Sequence, residues 1–233
     1  MRNQPTSGQQ DFEAVRCLDA PLAEQLDAYT DLLQEHQKAV SVLYEELVSR
    51  LHSSDAGQTA LAVGERIGAF VLPDSRGHLV SVDELLRGGP LVISFNRGSW
   101  CPYCRLELLA LAEIHSDVMN LGGGIVSILP ERARSANELK DLYDLPFPVL
   151  SDIDNAYALA NGLMISIGVE LRQALSERGV DMARLHGNDG FLVPITATYV
   201  VARDGFVKDA FVDPDFRQRM PPEQVIAALT GMQ

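Results

Sequence analysis

Two cysteines separated by two residues, in Ser99-Trp100-Cys101-Pro102-Tyr103-Cys104, are the side chains of this sequence with the clearest chemistry. Such a pair moves between dithiol and disulfide, so the chain reads as a redox protein. The elements around the pair explain how one sulfur becomes reactive. Leu91 to Phe95 is short and apolar throughout, as a strand buried on both faces is, and Arg105 to Leu121 reads as a helix. Along that helix Glu113, Ser116, Asp117 and Asn120 share a polar face, while Leu108, Leu111, Ala112, Val118 and Met119 lie opposite. Cys101 therefore sits where a strand hands over to a helix. Free N–H groups and the positive dipole end of the helix favour a thiolate there, and the thiolate is the nucleophile. Pro102 suits the first helical position, where its missing N–H costs nothing. Cys104 follows about one turn later, within reach of a small disulfide ring.

Other uses of the pair fit less well. A zinc site needs further Cys or His ligands, and the one other cysteine, Cys17, stands far upstream without a partner nearby. A structural disulfide scaffold would carry more cysteines and an export signal. An inert buried pair is argued against by its place at a helix start. Cys17 reads as an incidental thiol, with a disulfide between subunits, and hence a homodimer, as the alternative.

The chain has 233 residues, 46% of them hydrophobic, enough for one catalytic domain and an appendage. A net charge of −13 repels a phosphate backbone, so nucleic acid is excluded as a partner. No uncharged apolar run is long enough to cross a membrane, and the polar start, Met1 to Gln10, lacks the core of an export signal. A reducing cytoplasm is the expected setting. Gly122-Gly123-Gly124 precedes a strand and lacks the lysine and hydroxyl of a phosphate loop, so it reads as a helix stop, and no cofactor or metal is expected.

Residues from about Pro21 to His52 read as helix, with Leu22, Leu26, Tyr29, Leu33, Val40, Leu43 and Leu47 forming an apolar stripe that docks on its own domain or on a second subunit. A linker is expected at Ser53 to Gly57. Val71 to Val80 predicts a hairpin turning at Gly77, and Ser81-Val82-Asp83-Glu84 a capped short helix. Ile125 to Leu129 predicts a second buried strand, and Ser135-Ala136-Asn137-Glu138 another helix start. Asn155 to Asn161 is helix-like, and residues 163–193 are an insertion of no readable role. Arg203-Asp204-Gly205 between Ile195–Val201 and Phe206–Val212 predicts a hairpin, followed by a helix from Pro222 to Leu229. This order describes a central sheet covered on both faces.

Gly64-Glu65-Arg66-Ile67-Gly68, the first hairpin, the strand into Arg97-Gly98-Ser99-Trp100-Cys101-Pro102-Tyr103-Cys104, the stretch Ala197 to Gly205 and the last helix together resemble the peroxiredoxin-like branch of the thioredoxin fold. The alkyl hydroperoxide reductase and thiol-specific antioxidant (AhpC/TSA) family is the one they are similar to, over roughly Val63 to Leu229. The resemblance implies an α/β, thioredoxin-like central mixed sheet flanked by helices over residues 61–233, with residues 1–60 as an N-terminal helical extension. It also implies reduction of a small hydroperoxide by one cysteine, which becomes a sulfenic acid, forms a disulfide with the other, and is reset by a thioredoxin- or glutaredoxin-like reductant. Cys101 is expected to attack and Cys104 to resolve.

Family members carry a proline and a threonine at fixed places before the reacting cysteine. Counted from Cys101 those places hold Ser94 and Gly98; counted from Cys104 they hold Arg97 and Cys101, which leaves the two roles exchangeable. The family arginine before the alanine-threonine-aromatic strand is here Thr196. Arg97, by its charge, and Ser99 or Thr196, by their hydroxyls, are candidate substitutes in positioning peroxide, although Arg97 equally suits an ion pair. Pro194 is the candidate for the cis-proline that faces the cysteine pair in this fold, and Trp100 for a hydrophobic rim. A thiol-disulfide oxidoreductase acting on protein disulfides is the rival reading, since Cys-Pro-Tyr-Cys matches glutaredoxin; a redox-sensing interaction module is the third.

Overall fold

A computed structural model describes residues 7–232, so the Met1 to Thr6 part of the polar N-terminus lies outside it. Three helices come first: α1 (Ser7–Arg16), α2 (Leu22–His36) and α3 (Lys38–Ser53). The long apolar stripe is thus two helices, because Gln37 leaves helical geometry at φ −141° and ψ 44° and lets α3 turn away. The expected hairpin follows as β1 (Val71–Pro73) and β2 (Leu79–Ser81), with Gly77 at φ +85° in its turn. Helix α4 (Val82–Gly88) is capped by Ser81, whose Oγ accepts the Glu84 N–H at 3.2 Å.

The centre is laid down by β3 (Leu91–Phe95), α5 (Pro102–Glu113), α6 (His115–Asn120), β4 (Gly124–Leu129), α7 (Ala133–Leu142) and β5 (Val149–Ser151). The helix read from Arg105 to Leu121 is broken at Ile114 into α5 and α6. Helix α7 starts before the Ser135 box. Its first turn closes by the Ala136 N–H on the Arg132 carbonyl, while the Arg132 N–H is taken by Leu185 at 2.9 Å. The insertion is structured: α8 (Ala156–Ala160) leads into β6 (Met164–Ser166), α9 (Val169–Glu177), α10 (Met182–His186) and β7 (Leu192–Pro194), and β6 and β7 pair antiparallel. The chain ends with the hairpin β8 (Ala197–Val201) and β9 (Val207–Val212), and then α11 (Pro222–Thr230).

Five strands form one sheet in the order β5-β4-β3-β8-β9, parallel among the first three and antiparallel from β3 to β8 and β9. β3 is the middle strand and every residue in it is buried, which is why it reads as an unbroken apolar run. Alternation sends Ile93 and Phe95 into the core shared with Phe70 and Tyr199, and Val92 into the core with Leu108 and Val225. A third core joins α2, α3 and α9 to the cysteine helix through Tyr29, Leu33, Tyr44, Leu171, Tyr103 and Leu106.

One expectation fails at Pro194. Among the described residues there is no cis peptide bond, and Pro194 instead completes β7 opposite Met164. A place in a paired strand is extended backbone that a trans proline fills.

Candidate active site

The main chain leaves β3 at Phe95 and must turn sharply to start α5 at Pro102. Gly98 makes the turn at φ +141°, and a Cβ there would lie 2.5 Å from Trp100 Nε1 and 2.6 Å from Glu131 Oε1. The place that holds threonine in the family, counted from Cys101, therefore has neither the backbone angle nor the room for a side chain. Cys101 is the N-terminal cap of α5, with its N–H on the Gly98 carbonyl at 3.1 Å. Pro102 begins the helix, as its fixed φ favours.

Both sulfurs are free thiols and wholly buried. Cys104 follows Cys101 in the first turn of α5. The Cys104 sulfur accepts the Arg97 backbone N–H and Arg219 Nη2, each at 3.3 Å. Burial alone would raise the Cys101 thiol, but the hydrogen bond from Cys104, the charges of Arg97 and Arg219, and the Cys104 N–H outweigh it and hold Cys101 below the ordinary thiol range. Cys104 moves the other way, well above that range, through burial and its proton shared toward Cys101. The pair thus has one sulfur favoured as thiolate and one as thiol.

Arg97 carries the nearby charge in an unusual form. It is completely buried, and none of its three guanidinium nitrogens has a hydrogen-bond partner. Aromatic faces enclose it: Phe216 at 3.8 Å, Trp100 at 5.0 Å and Tyr44 at 5.8 Å from the ring centroids. No salt bridge is made, so the ion-pair alternative for Arg97 is not what the fold provides. Ser99 makes no hydrogen bond to either sulfur. Its N–H and Oγ both bond Glu131 Oε1, at 2.8 and 2.9 Å. Trp100 lies beside Arg97, while Thr196 is buried with its hydroxyl unpaired and no hydrogen bond to either sulfur.

Three groups at the site lay outside the sequence reading. Arg219, from the loop before α11, bonds Cys104, the Phe216 carbonyl at 2.9 Å and Glu107. Glu107, on α5, also accepts Thr198 Oγ1 at 2.7 Å and Ser94 Oγ at 3.3 Å, and burial raises it despite the Arg219 charge. Glu131 is raised to about 7 by burial, against the two Ser99 hydrogen bonds, and its Oε2 is unpaired. Glu107 left a trace in the sequence, an acid on the apolar side of the cysteine helix one turn after Cys104. Arg219 left none, because only the tertiary fold brings it near. Among the described residues no group of three or more His, Cys, Asp and Glu is placed to hold a metal ion, and no helix is long and apolar enough to cross a membrane.

Residues 63–210 match the AhpC/TSA family. A putative peroxiredoxin bcp of Coxiella burnetii is 27% identical over 106 residues, which is 46% of this chain and 70% of the relative. The thiol-disulfide oxidoreductase ResA of Geobacillus kaustophilus is 28% identical over 127 residues, 51% of this chain and 72% of the relative. In structure, peroxidoxin BcpB of Mycobacterium tuberculosis superposes with a TM-score of 0.59 at 20% identity, covering 74% of this chain and 99% of that one. The thioredoxin-like peroxiredoxin fold is thereby shown. By the extent of the family match and the fold around its cysteine pair, the chain belongs to the AhpC/TSA family and is an oxidoreductase of the peroxiredoxin kind.

Proposed function

We propose that the protein reduces small hydroperoxides, hydrogen peroxide or an organic hydroperoxide, with Cys101 as the attacking thiolate and Cys104 as the resolving thiol. The observation that supports the assignment is the place of Cys101 as the N-terminal cap of α5, where the helix start and the charges of Arg97 and Arg219 favour its thiolate. The Cys101 thiolate attacks the terminal peroxide oxygen; an S–O bond forms, the O–O bond breaks, and the leaving oxygen takes a proton to depart as alcohol or water. Sulfur is oxidised to sulfenic acid and the peroxide is reduced. Arg219 and the Arg97 N–H, both on Cys104, favour that sulfur as it loses its own proton. It then attacks the Cys101 sulfur, an S–S bond forms, and the S–O bond breaks with loss of water. A thioredoxin- or glutaredoxin-like dithiol returns the pair to the reduced state, in a reducing cytoplasm.

The similarity to ResA supports a second reading, reduction of protein disulfides by the same pair. Burial of both sulfurs weighs against it, since a small peroxide needs far less access than a folded substrate. One experiment separates them. Reduced wild type, Cys101→Ser and Cys104→Ser are mixed with hydrogen peroxide, and sulfenic acid and disulfide are timed. The expected result is a sulfenic acid trapped on Cys101 in Cys104→Ser. Trapping on Cys104 in Cys101→Ser instead exchanges the roles. Oxidation no faster than that of a free thiol, together with reduction of a protein disulfide, overturns the peroxidase reading.

A further inference from the structure

A cavity of about 270 Å³ lies beside the start of α5, between α2 and α3 on one side and the end of α9 on the other; Cys101 and Cys104 are buried behind it and do not line it. Its walls are partly apolar, from Leu33, Val40 and Leu175, and partly polar, from Gln37 and Tyr29. Its floor includes Trp100 and Pro102, the two neighbours of Cys101 in the chain. Arg105 and Arg178 also line it, and they are what make it unusual.

Neither of these arginines has a carboxylate partner among the described residues. Arg105 gives one hydrogen bond, Nη1 to the Tyr143 hydroxyl at 3.1 Å, rests its guanidinium on the Phe12 ring at 3.9 Å, and keeps a buried Nε with no acceptor. Arg178 is exposed and makes no ion pair. A third guanidinium without a carboxylate partner, Arg97, backs onto the Tyr44 and Trp100 rings that line the same cavity. The carboxylate of Asp11 is already held, by His36 Nδ1 at 2.9 Å and Gln37 Nε2 at 3.3 Å. The charges act inside the cavity: burial lifts the Tyr29 phenol to about 12, and Arg105 and Arg178 oppose that rise. In a chain of net charge −13, guanidinium groups without a carboxylate partner, gathered at one cavity with an apolar side, mark a site for an anion with an apolar body.

We infer that this cavity binds a hydroperoxide carrying a carboxylate, with the carboxylate on Arg105 and Arg178, the apolar body between α2 and α9, and the peroxide end over Trp100 and Pro102 toward Cys101. The reacting end of this inference rests on the peroxidase reading; the anion-binding end does not.

Trp100 is the one tryptophan of the chain, so its fluorescence reports on the cavity floor. Reduced full-length protein is titrated with 4-isopropylbenzoate and with the neutral 4-isopropylbenzamide. A saturable change is expected, with the acid binding about tenfold more tightly than the amide, as charge-assisted hydrogen bonds to guanidinium provide. Arg178→Gln, an exposed substitution that leaves the core untouched, is expected to remove most of that difference. Arg134→Gln, on the exposed face of α7, is expected to keep it. Turnover is then compared for cumene hydroperoxide and its para-carboxylate, with a lower KM expected for the charged substrate. Equal binding of acid and amide, an Arg178→Gln variant with unchanged selectivity, or equal kcat/KM for the two hydroperoxides overturns the inference. If no hydroperoxide is turned over, the peroxidase reading falls, and the fluorescence titration alone decides whether the cavity is an anion site.

Discussion

Arg97 is a permanent charge taken out of water with no hydrogen-bond acceptor, an arrangement that costs several kcal/mol unless something compensates. The aromatic rings return about 2 kcal/mol as desolvated cation–π contacts, Phe216 being the nearest at 3.8 Å. The ionised Cys101 sulfur is the remaining compensation, since Arg97 is among the groups that lower it. Arg97→Met should therefore move the acid limb of the peroxide reaction to higher pH: wild type keeps its rate on acidification further than the variant, as measured by stopped flow between about pH 4 and 9. An unshifted limb would show that Arg97 does not set the thiolate. Glu131 gives a second pH effect of opposite kind. Its folded value of about 7 lies above the usual 4.3 or so, so its contribution to stability is full below that lower value, declines between the two, and is lost above the upper one. Glu131→Gln keeps an acceptor for Ser99, and should stabilise the protein by about 1–3 kcal/mol near pH 8 while changing little near pH 4. Urea midpoints at the two pH values check this; equal pH slopes in both proteins would refute it. Cys101 and Cys104 were legible as residues because their meaning depends on local spacing. The roles of Arg219 and Glu131 were not, because each is set by what the fold places beside it.

At the scale of elements, the strand, turn and helix that carry the pair were readable from period and composition, and so were both hairpins. The N-terminal stripe was readable as helix but not its consequence, which is that α2 covers the start of α5. Tyr29 meets the Tyr103 ring edge-on at 5.2 Å, and Thr30 Oγ1 lies 3.1 Å from the Tyr103 hydroxyl. A stripe of leucines tells that a helix is docked, not on what. Pro194 failed for the related reason that cis geometry depends on tertiary context, and the insertion around it supplies a strand partner instead. The cover also divides reagents by size. Hydrogen peroxide needs little opening, whereas a protein dithiol needs α2 to leave α5. Thr30→Val leaves the Tyr103 hydroxyl unpaired and should weaken the contact by about 1–3 kcal/mol. Reduction of the oxidised protein by thioredoxin should then accelerate at least about fivefold, the factor that 1 kcal/mol gives. An unchanged rate in a coupled reductase assay would mean that α2 does not limit access.

For the molecule as a whole, the three cysteines separate into a buried pair and an exposed Cys17 at the end of α1. One equivalent of peroxide should therefore lower the titratable thiols of the denatured protein from three to one with no new band on a non-reducing gel. A dimer band that disappears in Cys17→Ser would instead assign Cys17 to a contact between subunits. The enclosed Arg97 has an energetic consequence for the complete cycle. When Cys101 and Cys104 join, the thiolate disappears and the guanidinium is left in its aromatic box without a counter-charge. The dithiol form is favoured by that difference, which makes the disulfide a stronger oxidant and shifts its reduction potential to less negative values than the same pair would have without Arg97. The arginine proposed to prime the sulfur for peroxide would thus also ease its recharging by a dithiol donor.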